Sequence, residues 1–264
     1  MAESCLNCGW LVNENYCGNC GQKKFNRIDR RYVLNELEST ILQTNKGFLY
    51  TIKGVIRNPG KTAKEFINGN RINHYKPILL AFLLCGISAF ISFQILGLLE
   101  IMKSFYSEQK VLSGFMNDYL ALSSRYNSII MILLVPFYAL VTKLAFRKWG
   151  QNYFEHIVMN SYILSLYLIM NIVIFYPLIY IFKNNIDLVI QIPSLSLLAL
   201  PIIILWFFRG FYDKKLFKSI FGRVLLTVLY TIIGFLIFII IGIIIGIIAV
   251  MIKGPEVLEY FGTQ

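Results

Sequence analysis

The sequence predicts an all-α polytopic membrane protein of about five transmembrane helices, preceded by a small cysteine-rich unit and a basic, amphipathic segment. Three observations lead there. Of the 264 residues, 57% are hydrophobic and only 15% charged, against about 25% charged and under 50% apolar in a soluble domain. The apolar excess is gathered into long uncharged runs from Pro77 onward, and four of the five cysteines fall within the first twenty residues. The formal net charge is +11, with 12 of the 25 Lys and Arg residues ahead of Pro77. This balance excludes a secreted soluble enzyme, a disordered tail and a DNA-binding domain built on basic residues alone. The opening residues MAESCLNC contain no apolar stretch of signal-peptide length, so no cleavage is expected.

The cysteines are spaced as Cys5-Leu6-Asn7-Cys8-Gly9 and Cys17-Gly18-Asn19-Cys20-Gly21. Such clustering reads as a metal site and not as a disulfide framework. Two C-x-x-C turns can set four thiolates tetrahedrally around one Zn²⁺, with Zn–S distances of about 2.3 Å. The glycine after each pair suits a tight knuckle in which the backbone turns back on itself. Residues 9–16, with Trp10, Val12 and Tyr16, suffice for a short hairpin with a little apolar cover. A unit of about 20 residues cannot be held by burial alone, so the metal supplies most of its folding energy. Four sulfur ligands leave no position for water or substrate, which makes the site structural. The alternatives are a rubredoxin-like iron site and a redox dithiol pair. Tetrahedral thiolates favour zinc or iron, and thiols stay reduced in the cytoplasm. The expectation is a zinc ribbon over residues 1–22, with Cys5, Cys8, Cys17 and Cys20 holding one structural Zn²⁺.

Residues 23–76 are polar and basic with helical periodicity. On a 100° wheel, Val33, Leu34, Leu37, Ile41, Leu42, Phe48, Leu49, Ile52, Val55 and Ile56 share one half, while Glu36, Ser39, Gln43, Lys46, Lys53 and Arg57 share the other. That pattern predicts an amphipathic helix, broken near Gly47 or Gly54. Asn58-Pro59 then reads as an N-cap with Pro at N1, starting a short helix through Phe66 and Ile67 that Gly69 ends. Basic polar faces suit either the inner leaflet or the cytoplasmic ends of the spans. The run Lys23, Lys24, Arg27, Arg30, Arg31 beside a zinc ribbon raises nucleic acid as a partner. No recognition helix or stacking platform accompanies it, so anionic lipid head groups at the cytoplasmic face are the expected partner.

A membrane-spanning helix needs about 20 mostly apolar residues. Five segments qualify: 77–99, 128–146, 157–182, 188–208 and 224–252. Pro193 and Pro201 make the fourth open to shortening or breakage. With the amino terminus in the cytoplasm, cytoplasmic parts hold 20 Lys and Arg residues and outer parts hold 5. The positive-inside rule therefore predicts N-in, and five spans put a short tail, 253–264, outside. Leu112, Phe115, Met116 and Tyr119 form a second amphipathic stretch in the first outer loop. No Asp, Glu or Arg lies near the centre of a span, which lowers the expectation of a proton-coupled transporter. Ser88, Ser92, Gln94, Asn160, Ser161, Ser165 and Asn171 could line a polar path, although such residues more often bond helix to helix. Gly242-x-x-x-Gly246, with Gly234 earlier, lets another helix approach closely, within one protomer first and in a homo-oligomer second. Cys85 reads as a small buried apolar residue.

His74 and His156 are the two histidines. His74, beside Arg71 and Tyr75, reads as an interfacial polar residue with a phosphate head group as its possible ligand. His156, after Glu155, reads as a helix-end cap. No P-loop, G-x-S-x-G elbow, H-E-x-x-H or paired membrane carboxylates occur, so no enzyme is expected.

The ribbon C-x-N-C-G…Y-C-x-N-C-G-Q, with Arg30-Arg31, Asn58-Pro59-Gly60, Phe66-Ile67-Asn68-Gly69-Asn70-Arg71, Tyr75 and Pro77, resembles a bacterial membrane family catalogued as domain of unknown function 3667. The likeness covers roughly residues 1–100 and extends over the remaining spans by hydropathy. It implies a membrane protein with a cytoplasmic zinc ribbon and brings no activity. The five-span, N-in layout with a cytosolic head is also similar, in layout alone, to Yip1-type membrane proteins. The division expected is zinc ribbon 1–22, basic amphipathic helices 23–76, transmembrane domain 77–252 and tail 253–264, in the bacterial inner membrane. The function expected is a scaffold or adaptor whose zinc-stabilised head docks a protein partner. The alternative is a small transporter or lipid-handling protein regulated by the ribbon.

Overall fold

Among the described residues, five helices are long and apolar enough to cross a membrane, because the hydropathy of each run is a local property that no tertiary contact is needed to create. The structure is a computed structural model and describes residues 3–24, 29–30, 47–253 and 262. The wheel residues Val33, Leu34, Leu37, Ile41, Leu42, Glu36, Ser39, Gln43 and Lys46 lie outside the described residues. So do Arg27, Arg31 and nearly all of the tail after Lys253.

Strands β1 (Glu3–Ser4) and β2 (Leu11–Val12) pair antiparallel, Glu3 opposite Val12. Helices α1 (Phe48–Arg57) and α2 (Pro59–Ile67) follow. The spans are α3 (Pro77–Ile95), α6 (Asn127–Ala145), α7 (Tyr153–Ile181), α8 (Ile186–Phe211) and α9, a helix over Phe217–Lys253. Between α3 and α6 lie α4 (Leu98–Glu108) and α5 (Gly114–Arg125), the latter capped by the Ser113 hydroxyl, which accepts from Met116 N–H at 3.1 Å.

Proline sets the internal breaks. In α7 the backbone widens to a π-turn over Asn171–Phe175 directly before Pro177. Pro177 has no N–H to give the carbonyl four residues back, and the wider turn passes the Tyr176 N–H to Asn171 C=O instead. A second π-turn closes α3 over Phe90–Ile95, ending that span four residues before the expected 99. The fourth span is complete but interrupted at Ala199, with Pro201 in the first turn of its second half.

The main core lies where α1 and α2 cross the bundle end at which α3 and α7 begin and α6 and α8 finish. Val55, Phe66, Leu80, Phe146, Tyr162, Phe207 and Phe208 are buried together there. Phe66 meets Tyr162 edge-on at 6.2 Å, and Phe146 stacks on Phe208 at 4.0 Å. So α1 and α2 pack against the ends of the spans, burying Thr51, Val55, Ala63, Phe66 and Ile67. Leu49 and Ile56, on the same apolar half-wheel, stay exposed.

Helix α9 departs from the expected packing. Its first half meets α6, where a Cβ on Gly234 would come within 2.8 Å of the Phe137 ring. A Cβ on Gly242 or Gly246 would meet nothing within 4 Å. The expected close approach within the protomer is thus made at Gly234 and not at the G-x-x-x-G pair.

Candidate metal centre

Each C-x-x-C pair folds as the same turn. Gly9 N–H donates to Cys5 C=O at 2.8 Å and Cys5 N–H to Trp10 C=O at 2.7 Å; Gly21 N–H donates to Cys17 C=O at 2.8 Å and Cys17 N–H to Gln22 C=O at 2.7 Å. Gly9 and Gly21 sit at φ 76° and 71°, a left-handed conformation that glycine adopts without a Cβ penalty. The first knuckle is closed by β1 and β2, the second by an antiparallel bridge of Tyr16 with Lys23. The hairpin therefore encloses a cysteine pair and does not lie between the pairs. Two copies of C-x-N-C-G twelve residues apart make the ribbon a short internal repeat.

The two knuckles face each other. Cys5 and Cys20 sulfurs lie 3.6 Å apart, as do those of Cys8 and Cys17, and all four fall within 4.8 Å of one another. A disulfide needs about 2.05 Å, and these cysteines are free thiols. A tetrahedron with metal–sulfur arms of about 2.3 Å has edges of about 3.8 Å, so the spacing fits one tetrahedral metal ion. The electrostatics agree. Burial works to raise the Cys20 thiol, but hydrogen bonds from the Asn7 side chain, the Gln22 backbone and the neighbouring thiols bring it down to about 6. Cys8 goes the other way, to about 11: its bonds with the Trp10 backbone and the Asn19 side chain favour the thiolate, and desolvation and the adjacent thiols outweigh them. One thiolate resists the next at this distance, and a divalent cation relieves that repulsion.

Asn7 and Asn19 thus serve crosswise, each bonded to the second cysteine of the opposite knuckle. Asn7 also fastens the ribbon, its Oδ1 accepting from Asn73 Nδ2 at 3.0 Å. Buried Gln22 does the same from the other knuckle: its Nε2 donates to Gly69 C=O, and its Oε1 accepts from Arg71 N–H at 3.3 Å. The ribbon is docked onto the loop between α2 and α3 by the Asn of C-x-N-C and the Gln of C-G-Q. Sequence reasoning quoted both residues and assigned them no role. Of the expected apolar cover, Val12 is buried, whereas Trp10 and Tyr16 are each 60% exposed.

Both histidines differ from expectation. His74 is buried between Tyr50 and Phe66 rings, with its Nε2 3.5 Å from a Glu65 carboxylate oxygen. Burial pushes it below its ordinary 6.5 despite that carboxylate. It does not present its ring to a head group. At α7 the helix end is capped by Asn152 and Glu155 in a reciprocal capping box. His156 instead is fully buried, its Nδ1 3.0 Å from the Thr142 hydroxyl, which also accepts from Asn160 Nδ2 at 2.8 Å.

Residues 45–90 match a family model described as protein of unknown function, DUF3667. That stretch is similar to the DUF3667 family. It runs through α1, α2 and the docking loop into α3 as far as Phe90, and the resemblance read from Asn58-Pro59-Gly60 to Pro77 is borne out there. The cysteine knuckles lie outside the match. No curated protein and no solved structure matches the chain.

Proposed function

We propose that the protein is a scaffold or adaptor of the bacterial inner membrane, and not an enzyme, whose zinc-held ribbon is a cytoplasmic docking head. The observation that carries this is the pairing of a closed four-thiol set with an apolar rim. Leu6, Trp10, Leu11 and Tyr16 on the ribbon are each more than half exposed, while its polar side is spent on the loop at residues 69–73. Four sulfurs leave a zinc ion no position for substrate, so the ion stiffens a binding surface. Orientation rests on charge: Lys53, Arg57, Lys61, Lys64, Lys76, Arg147, Lys148, Arg209, Lys214 and Lys215 belong to the bundle end that carries the head. The positive-inside rule assigns that end to the cytoplasm, against anionic lipid, with lipid and protein as partners in place of nucleic acid.

The competing transport reading needs polar side chains free to line a path. Several bond to their own helix: Asn160 to His156 C=O, Ser165 to Ser161 C=O, Asn171 to Tyr167 C=O. That supports scaffolding. The test is affinity purification from membranes of the wild type, Cys17→Ser/Cys20→Ser and Trp10→Ala/Leu11→Ala, with elemental analysis of each. About one zinc per chain is expected in the wild type and the rim variant and none in the cysteine variant. Partner bands should disappear from both variants. An unchanged partner list in both overturns the docking role, and iron in place of zinc overturns the metal assignment.

A further inference from the structure

Beside the crossing of α2 with the end of α8 lies a groove of about 820 Å³, within the range of small-molecule sites. The crossing is made backbone to backbone. A Cβ on Gly60 would strike Phe207 O, Phe211 N and Gly210 C, and one on Gly210 would strike the Asn58 side chain. The groove alongside is lined by Asn58, Lys61, Lys64, Trp206, Arg209 and Asp213, among others, with Leu6 of the ribbon at its edge.

The charges in it are not balanced. Lys61 and Lys64 stand one turn apart on α2 and share a face. Lys64 is spent on Asp213, with Nζ to Oδ1 at 2.6 Å, and the other lining acid, Glu65, faces buried His74 at 3.5 Å. Arg209, from the other wall, lies 5.5 Å over the Phe217 ring. Among the described residues no carboxylate pairs with Lys61 or Arg209, and both side chains are exposed. Trp206 is part-exposed in the last turns of a membrane span, where an indole sits at head-group depth. Two cations without a carboxylate partner among the described residues, from two elements and above an interfacial indole, form a receptor for one kind of group.

We propose that this groove binds the phosphate of an anionic phospholipid head group, with Lys61 and Arg209 as its charged contacts. The proposal rests on the reading that this end of the bundle meets anionic lipid, and it narrows that contact from a charged face to one site. A soluble phosphate compound would offer the same chemistry, so the experiment separates the sources.

The test is native mass spectrometry of the delipidated full-length protein in detergent, titrated with phosphatidylglycerol or phosphatidylcholine, with and without millimolar inorganic phosphate. Lys61→Gln/Arg209→Gln is set against Lys53→Gln/Lys148→Gln, which removes two exposed charges from the same end but outside the groove. The wild type should prefer phosphatidylglycerol. The groove pair should weaken that binding by about tenfold or more and the control pair by less than about twofold. Competition by inorganic phosphate, lost in the groove pair, keeps the chemistry and assigns the site to soluble phosphates. Equal losses in both pairs overturn the groove while leaving a diffuse attraction to anionic lipid. No preference for phosphatidylglycerol in the wild type overturns both.

Discussion

Gly60→Ala adds one methyl group at the point where α2 lies on the end of α8. The new Cβ would stand 2.8 Å from the Gly210 carbonyl carbon and closer still to Phe207 O and Phe211 N, whereas ordinary contact begins at 3.4 Å. All three obstacles are backbone, so no side chain can swing aside, and relieving the tightest of them, Phe207 O, parts the helices by about 1 Å or more. A gap of about 0.5–1 Å forfeits a quarter to a half of each contact's dispersion energy, and the nearby cluster includes Phe66, Ile67, Phe207, Phe208 and Phe211. The cost should reach the upper part of the overpacking range, about 3 kcal/mol. At about 2–4 °C per kcal/mol for a chain of this size, the unfolding midpoint falls by about 6–12 °C. Heating in detergent followed by fluorescence-detected size exclusion reads this directly. Gly86→Ala, whose Cβ would meet nothing within 4 Å, is the control, and it should hold or slightly raise the midpoint through helix propensity. Equal midpoints for the two variants would refute the crossing.

Two further predictions concern the head and the loop that carries it. Gln22→Ala removes the buried amide that bonds Gly69 and Arg71, at about 1–3 kcal/mol for the groups left unpaired. Hydrogen exchange over residues 3–24 should accelerate while metal content stays unchanged; unchanged exchange would mean that the ribbon is not docked through Gln22. His74 is pushed below its ordinary 6.5 when folded, so below that pH the unfolded chain binds a proton that the folded chain resists. Stability is then full above about 6.5 and is lost as pH falls toward the folded value. Midpoints measured from pH 7.5 to 5 should drop, and His74→Gln should flatten that drop; an identical slope in the variant would show that His74 is not its source.

The parts that were legible in the sequence are those that depend on neighbours along the chain. Hydropathy marked all five spans. Asn58-Pro59 marked the start of α2, and Asn58 Oδ1 accepts from Lys61 N–H at 2.9 Å as an N-cap does. The spacing of Cys5, Cys8, Cys17 and Cys20 marked a four-thiol cluster, because C-x-x-C-G closes a knuckle within five residues. Elements whose role depends on remote chain were misjudged. His156 looked like a cap, but the helix end is closed by Asn152 and Glu155, and Trp10 looked like apolar cover but stands 60% exposed.

The sequence by itself determined that this chain carries five runs long and apolar enough to span a membrane, which end carries most positive charge, and which four sulfurs come together. Tertiary structure alone decided that Gln22 and Asn7 hold the ribbon to the loop before the first span, and that Gly60 and Gly210 are where two helices touch. It also brought Lys61 and Arg209, from two helices, into the lining of one groove. The physical reason is range. Hydropathy, capping and knuckle turns are settled within one or two turns of chain, while a close backbone approach or a shared hydrogen bond exists only once segments 47 to 150 residues apart have packed.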